Sequence, residues 1–241
     1  MTTGSRLLAH TPSGSIDPGG TVLVPLGATE QHGPHLPLGV DALVASRVAR
    51  DIANGLAPYR QVWVAPALPF GSSGEHEFAR GTISIGQAAT KAVLIEATRS
   101  ISRWAGEVIF VNAHGGNMAP LISAVRQLRS EAVEVSWISC RAGWLDAHAG
   151  RTETSLMLAI DPTAVGDFSE VVGNTSPLAG LLPALAAGGV GAVAPNGVLG
   201  DPRGASAEEG RSVLRAMANE GVQRCLSSHI DEHGQRVPPP A

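Results

Sequence analysis

Short apolar runs alternate with segments of helical periodicity, and that alternation restricts the folds open to this chain. Val22–Leu26, Gln61–Ala65, Glu107–Val111 and Val133–Ile138 read as strands. After Asp41, the residues Val44, Val48, Ile52 and Leu56 recur every four positions, with Asn54-Gly55 as a stop signal. Gln87–Trp104, ended by Gly106, and Asn117–Glu131 read as further helices. Strands that alternate with helices imply right-handed crossovers, hence a three-layer αβα sandwich with a mostly parallel central sheet. In the last third, Val193 or Val198 is a candidate for one more strand. Ser206-Ala207-Glu208-Glu209 matches a capping box that opens a helix to about Glu220. Residues 1–20, rich in Gly, Ser, Thr and Pro, read as a loose lead-in. Residues 235–241, with Val237-Pro238-Pro239-Pro240, read as a disordered tail. With no repeat and no long linker, residues 1–241 are expected to form one domain.

Composition narrows the function classes. A hydrophobic content of 44% with 16% charged residues describes a chain with a filled core. The net charge is −4 and no Lys/Arg cluster occurs, so a nucleic-acid partner has no support. Cys140 and Cys225 form neither a disulfide framework nor a close-spaced zinc motif, which fits a reducing cytosol. No signal peptide and no apolar run of about 18 residues stand out, so a cytoplasmic protein without a membrane partner is expected.

Three loops, each following a predicted strand, hold most of the informative polar residues. Glu30, His32 and Asp41 follow the first strand. Asn112-Ala113-His114-Gly115-Gly116-Asn117 follows the third. Trp144 to Glu153, with His148, follows the fourth. Open α/β sheets build their sites at the carboxyl ends of parallel strands. Mixed oxygen and imidazole donors suit Zn, Mn or Fe(II) rather than Mg or Ca. Each residue also has a plainer reading. Asp41 can be a helix N-cap, Glu153 a first-turn acid favoured by the helix dipole, and His114 a hydrogen-bonded loop histidine. His35, between Pro34 and Leu36-Pro37, reads as a packed loop residue. No Gly-x-Ser-x-Gly elbow occurs, which disfavours a serine hydrolase. Cys140 reads as a small buried side chain rather than a nucleophile.

Gly27-Ala28-Thr29-Glu30-Gln31-His32-Gly33-Pro34-His35-Leu36-Pro37, Asp41, Gly81-Thr82-Ile83-Ser84, the Asn112–Asn117 segment, His148-Ala149-Gly150 and Glu153-Thr154-Ser155 together resemble the creatininase family of metal-dependent amidohydrolases. Val172–Pro177, Gly197–Pro202 and Ala205–Gly210 look like the mycofactocin-system branch of that family. The resemblance implies a peptidase acting on a modified precursor peptide and releasing its cross-linked C-terminal Val-Tyr unit. It also implies two divalent ions per subunit (Zn, Fe(II) or Mn) and a homo-oligomer, often a hexamer. Asp41 would bridge the ions, with Glu30 and His114 on one and His32 and Glu153 on the other. His148 would stabilise the oxyanion and protonate the leaving nitrogen, and Glu153 would share in catalysis. Trp144, Gly115, Gly116, Glu75 and His76 would border the substrate, with the two glycines letting the backbone approach closely; Glu77 is expected to be solvated. Members that hydrolyse creatinine look to carry an acidic metal ligand where this chain has Gly116, which points away from creatinine and makes Glu153 the replacement carboxylate. The alternatives are another amidohydrolase acting on a small cyclic amide or formamide, and a metal-binding structural or regulatory protein without turnover.

Overall fold

The computed structural model describes residues 6–141, 146–227 and 229–238. Its centre is a parallel sheet of five strands, β1 (Arg6–Leu7), β2 (Thr21–Leu26), β3 (Val62–Val64), β4 (Glu107–Asn112) and β5 (Val135–Ser139), in the order β1-β3-β2-β4-β5. The helices are α1 (Val40–Leu56), α2 (Gly86–Ile101), α3 (Met118–Ser130), α4 (Arg151–Ile160), α5 (Leu178–Gly188) and α6 (Ala207–Leu226).

Strand residues alternate between two apolar cores, as the period of two requires. Leu23, Ile109, Val111 and Ile138 pack under α1, α4 and α6. Val22, Val24, Phe110 and Trp137 pack under α2 and α3 on the opposite face. The result is the expected three-layer αβα sandwich. Chain order reverses at β2, which pairs with β3 on one side and β4 on the other. That switch point opens a crevice at the carboxyl ends of β2 and β4, where α/β sheets bind their ligands.

Pro25 lies inside this central strand, a position that normally disfavours proline. The carbonyls of Leu23 and Pro25 both face the β3 side, where they accept from Ala65 and Leu68. The missing Pro25 N–H therefore falls beyond the end of β3, and the β4 ladder stays intact. At the strand end, a Cβ on Gly27 would stand 2.4 Å from the Ala42 nitrogen. Only glycine lets the strand end run that close to the start of α1, which brings Asp41 to the crevice.

Several expectations need correction. The lead-in is not loose from Arg6 onward, because Arg6 and Leu7 pair with Trp63 and Val64. Likewise, Gln235 bridges to Trp137, and Arg236 is buried against Ser136 and Glu107, so the tail is tied down as far as these residues. Neither Val193 nor Val198 lies on a strand: Val190–Ala192 is a 3-10 turn, and only Leu199 makes a bridge, to His148. The helix after Ser206 runs on to Leu226, and Leu178–Gly188 forms a helix, α5, where the pattern gives no helical signal. Ser206 does cap α6 through the Glu209 amide, but the Glu209 carboxylate reaches Arg151 instead of closing the box. Among the described residues no helix is long and apolar enough to cross a membrane.

Candidate metal centre

Five of the sequence-predicted donors meet in the crevice, and all are buried. Glu30 and His32 sit on the loop after β2, Asp41 on the first turn of α1, His114 after β4 and Glu153 on the first turn of α4. Glu30, Asp41 and His114 form one group that could hold a cation; His32, Asp41 and Glu153 form another. Asp41 belongs to both. Its Oδ1 is 3.5 Å from His32 Nε2 and its Oδ2 is 3.3 Å from His114 Nδ1. Glu30 Oε2 is 3.3 Å from His114 Nε2, and Glu153 Oε2 is 3.8 Å from His32 Nε2.

These separations suit donors around an ion. Nitrogen and oxygen atoms placed tetrahedrally at about 2.1 Å from zinc stand roughly 3.4 Å apart. His32 Nδ1 faces the Glu30 carbonyl oxygen at 3.1 Å, so its N–H donates there and Nε2 points at two carboxylates. A backbone carbonyl that fixes the far nitrogen in this way is the usual support of a metal-ligating histidine. His32 Nε2, Glu30 Oε2 and Asp41 Oδ2 are buried without a hydrogen-bond partner. Buried polar atoms are rarely left so, and a cation in each of the two groups would satisfy them. The N-cap of α1 is Gly39 rather than Asp41, which removes the capping explanation for that carboxylate. Glu153 keeps part of its structural reading, since Oε2 also accepts the Ala149 N–H.

Burial opposes charge throughout the cluster. It raises the Glu153 carboxyl to about 7, against the pull of His32, and it raises Glu30, with Asp41 adding to the rise. Asp41 moves the other way: burial resists its ionisation, but the facing His114 and His32 imidazoles overcome this and hold it well below the usual carboxylate range. Burial also resists charge on His32, yet Glu153 and Asp41 push it up to about 10. Glu30 and Asp41 drive His114 well above its usual value in the same way. Without metal, protons on these two histidines balance the carboxylates.

A second ring of histidines surrounds Gln31, whose importance the sequence reading did not identify. Its Nε2 lies 2.9 Å from His76 Nδ1, 3.0 Å from His148 Nε2 and 3.1 Å from the Gly197 carbonyl. His148 Nε2 is 2.8 Å from the Gln31 carbonyl oxygen and donates to it, which turns Nδ1 toward Glu30 and Glu153 at 3.9 and 4.0 Å. His148 also joins Glu30 and His32 in a third metal-capable group. Burial, then the charges of His32 and His76, hold His148 well below its ordinary value. His76 is lowered to about 3 by burial and by His114 and His32, and its Nε2 lies 3.3 Å from Glu30 Oε1. His76 is thus within the cluster rather than merely at its border. The only signal for Gln31 was its place between Glu30 and His32.

Other expected residues fall around this core. Glu75 is half-exposed at the rim, 3.8 Å from His114 Nε2, while Glu77 is exposed. His35 packs in its loop with Nε2 2.8 Å from Thr154 Oγ1. Thr82 Oγ1 accepts the Gln31 amide, which ties the Gly81–Ser84 segment to the site loop. Cys140 is buried, and burial pushes its thiol far up, as an inert side chain requires. Trp144 lies outside the described residues. The glycine pair needs division: a Cβ at Gly115 would meet open space, whereas one at Gly116 would stand 2.1 Å from the Ser72 carbonyl oxygen and 2.5 Å from His114 Nε2. That carbonyl lies 2.9 Å from His114 Nε2, so the space beside the imidazole is already occupied. Only Gly116 fits the expected need for close approach.

A parallel α/β sheet with a buried carboxylate–imidazole cluster at its switch point defines the class, an α/β protein with a metal-capable centre. The chain matches the family model for creatininase (creatinine amidohydrolase) over residues 14–225. It belongs to the creatininase family. It is 48% identical over 209 residues to the mycofactocin precursor peptide peptidase of Mycobacterium ulcerans, covering 85% of this chain and 84% of that protein. The mycofactocin precursor peptide peptidase of Mycolicibacterium smegmatis is 46% identical over 215 residues, covering 88% and 87%. Among solved structures, a creatininase described with Mn superposes with a TM-score of 0.70 at 25% identity, over 90% of this chain and 96% of that one.

Proposed function

We propose that the protein is a metal-dependent peptidase of mycofactocin biosynthesis, which hydrolyses the modified precursor peptide and releases its cross-linked C-terminal Val-Tyr dipeptide. The observation that carries this reading is the near-full-length likeness to proteins named for that activity. Gly116 supports it, because the crowded space there has no room for an acidic side chain like that of the creatinine hydrolysers.

Glu30, Asp41 and His114 would hold one divalent ion and His32, Asp41 and Glu153 the other, with Zn, Fe(II) and Mn all compatible with these donors. When bound, such ions supply Lewis acidity and make water acidic enough to be a nucleophile near neutral pH. The remaining work falls to the chain. Glu153, a carboxylate at the edge of the donor set, takes up a proton and passes it on. Its Oε2 is oriented by the Ala149 amide and faces His148 Nδ1. His148 commits its Nε2–H to the Gln31 carbonyl, leaving Nδ1 to receive the proton that Glu153 passes on; the protonated ring then faces the developing oxyanion and delivers that proton to the leaving nitrogen. Glu75, His76, Gly115 and Gly116 border the bound peptide, and Trp144 is proposed to join them. The enzyme is expected to work in the cytoplasm as a homo-oligomer, with a hexamer as the specific expectation.

Incubation of the Zn-, Mn- or Fe(II)-loaded protein with the cross-linked precursor and, separately, with creatinine and a formamide tests the reading. Release of the dipeptide, seen by mass spectrometry, is the expected result. Turnover of the small amides alone would favour a different amidohydrolase, and no turnover with metal bound would favour a non-catalytic metal protein.

A further inference from the structure

α5 is unlike every other helix of this protein. Its sequence Leu-Ala-Gly-Leu-Leu-Pro-Ala-Leu-Ala-Ala-Gly holds no charged or hydrogen-bonding side chain, yet none of its residues is buried. An apolar helix left in water forgoes the main stabilisation available to it. Its ends are nevertheless fixed. Before it, the Asn174 side chain donates to the Val193 carbonyl and accepts the Ser176 amide. After it, Val190 is buried beside Ala194 and Leu199. Between these anchors, the helix spans a cavity of about 520 Å³ whose opposite wall is the metal-capable cluster. Leu178, Leu182 and Leu185 face that cavity at helical spacing, and Leu178 and Leu182 are 40% and 54% exposed. The cavity is therefore lined by donors for cations on the inner wall and by aliphatic carbon on the α5 side, with Arg141 also bordering it.

We propose that α5 is the specificity wall of the peptidase, with Leu178, Leu182 and Leu185 gripping the aliphatic and aromatic side chains of the peptide's C-terminal unit. This rests on the peptidase reading above and names what its substrate must present. A substrate whose cleaved amide lies against the cluster must place its adjoining groups across the cavity, against these leucines. Side chains there find no hydrogen-bonding partner on α5, so polar or charged residues would be desolvated without compensation. Apolar ones bury both their own surface and that of the helix.

The test combines binding and kinetics on the Mn-loaded protein. N-acetyl-Val-Tyr-amide is titrated by calorimetry into the wild type, Leu182→Ser, Leu178→Ser and the control Val93→Ser, an exposed position on α2. Because the two leucines are exposed, their substitution leaves the core intact. Each leucine variant is expected to weaken Kd about tenfold, the loss of one well-covered apolar contact. KM for the cross-linked precursor should rise by a similar factor with kcat within about twofold, and Val93→Ser should change neither. Unchanged Kd and KM in the leucine variants would overturn the assignment. So would a fall in oligomeric mass at unchanged Kd, which would make α5 a subunit contact. Leucine-dependent binding without precursor cleavage by the wild type would defeat the peptidase reading while leaving the wall in place; cleavage insensitive to both substitutions would do the reverse.

Discussion

Asp41 offers one carboxylate oxygen to each half of the cluster and is the one residue common to the groups Glu30–Asp41–His114 and His32–Asp41–Glu153. Asp41→Ala should therefore lower bound metal to at most one ion per chain, measured by elemental analysis, and reduce precursor cleavage at least 10³-fold. Full activity without metal would end the bridging scheme. Gly116→Ala tests a subtler point. Its methyl group would collide with the Ser72 carbonyl, which cannot retreat without losing its hydrogen bond to His114 Nε2. The variant should remain folded but bind metal at least tenfold more weakly, because His114 must turn. Equal metal affinity would mean that this loop yields freely. His148→Ala, in contrast, removes neither group of donors that contains Asp41. It should keep its metal and lose about 10²- to 10⁴-fold in kcat, the range typical of a lost acid–base group; near-normal turnover would take His148 off the catalytic list. At this scale the sequence was readable where residue type and spacing matched a donor set. It was silent on Gln31, since a glutamine between two ligands carries no chemistry until the loops bearing His76 and His148 fold around it.

At the scale of elements, legibility followed amphipathicity. α1, α2, α3 and strands β2 to β5 each bury one face and expose or pack the other, so their periodicity located them within a few residues. α5 has no such signal: it is apolar all round, and Pro183 within it reads as a breaker. β1 is only two residues long and is a strand because β3 offers it an edge. The prolines that close the C-terminal segment give it the pattern of a disordered tail, but Arg236 anchors it. Its guanidinium is buried, donating to Ser136 Oγ, the Cys225 and Ser227 carbonyls and Glu107, and Glu107 is also held by Arg60. Arg236→Ala would leave these acceptors buried and short of a donor, at a cost of about 3 kcal/mol. The expected result is a loss of several degrees in Tm with metal content and KM unchanged, since the clasp lies at the opposite end of β4 from His114. Denaturation curves superimposable on the wild type would show that the segment is only draped on the sheet.

For the molecule as a whole, the cluster couples stability to both pH and metal. Between pH 7 and 8.5, His35, His76 and His148 are neutral folded or unfolded, because their folded values lie below an already modest 6.5. Asp41 is ionised in both states there. His32, raised to about 10, and His114, also raised, behave differently: folded and metal-free they hold protons that the unfolded chain has released above 6.5, and Glu153, raised to about 7, adds to this at the lower end of the window. The native state then binds more protons than the unfolded one, so the metal-free protein must lose stability as pH rises through this window. A divalent ion takes the place of those protons, which makes uptake a proton-releasing step whose affinity strengthens with pH. Both effects act in one direction. The difference in Tm between metal-loaded and chelator-treated protein should widen steadily from pH 7 to 8.5, and calorimetric titration of the metal should give heats that scale with buffer ionisation enthalpy, reporting at least one proton released per chain. A gap that stays constant or narrows would mean that His32, His114 and Glu153 hold no extra protons in the metal-free fold, and the electrostatic case for a cation among these donors would fail.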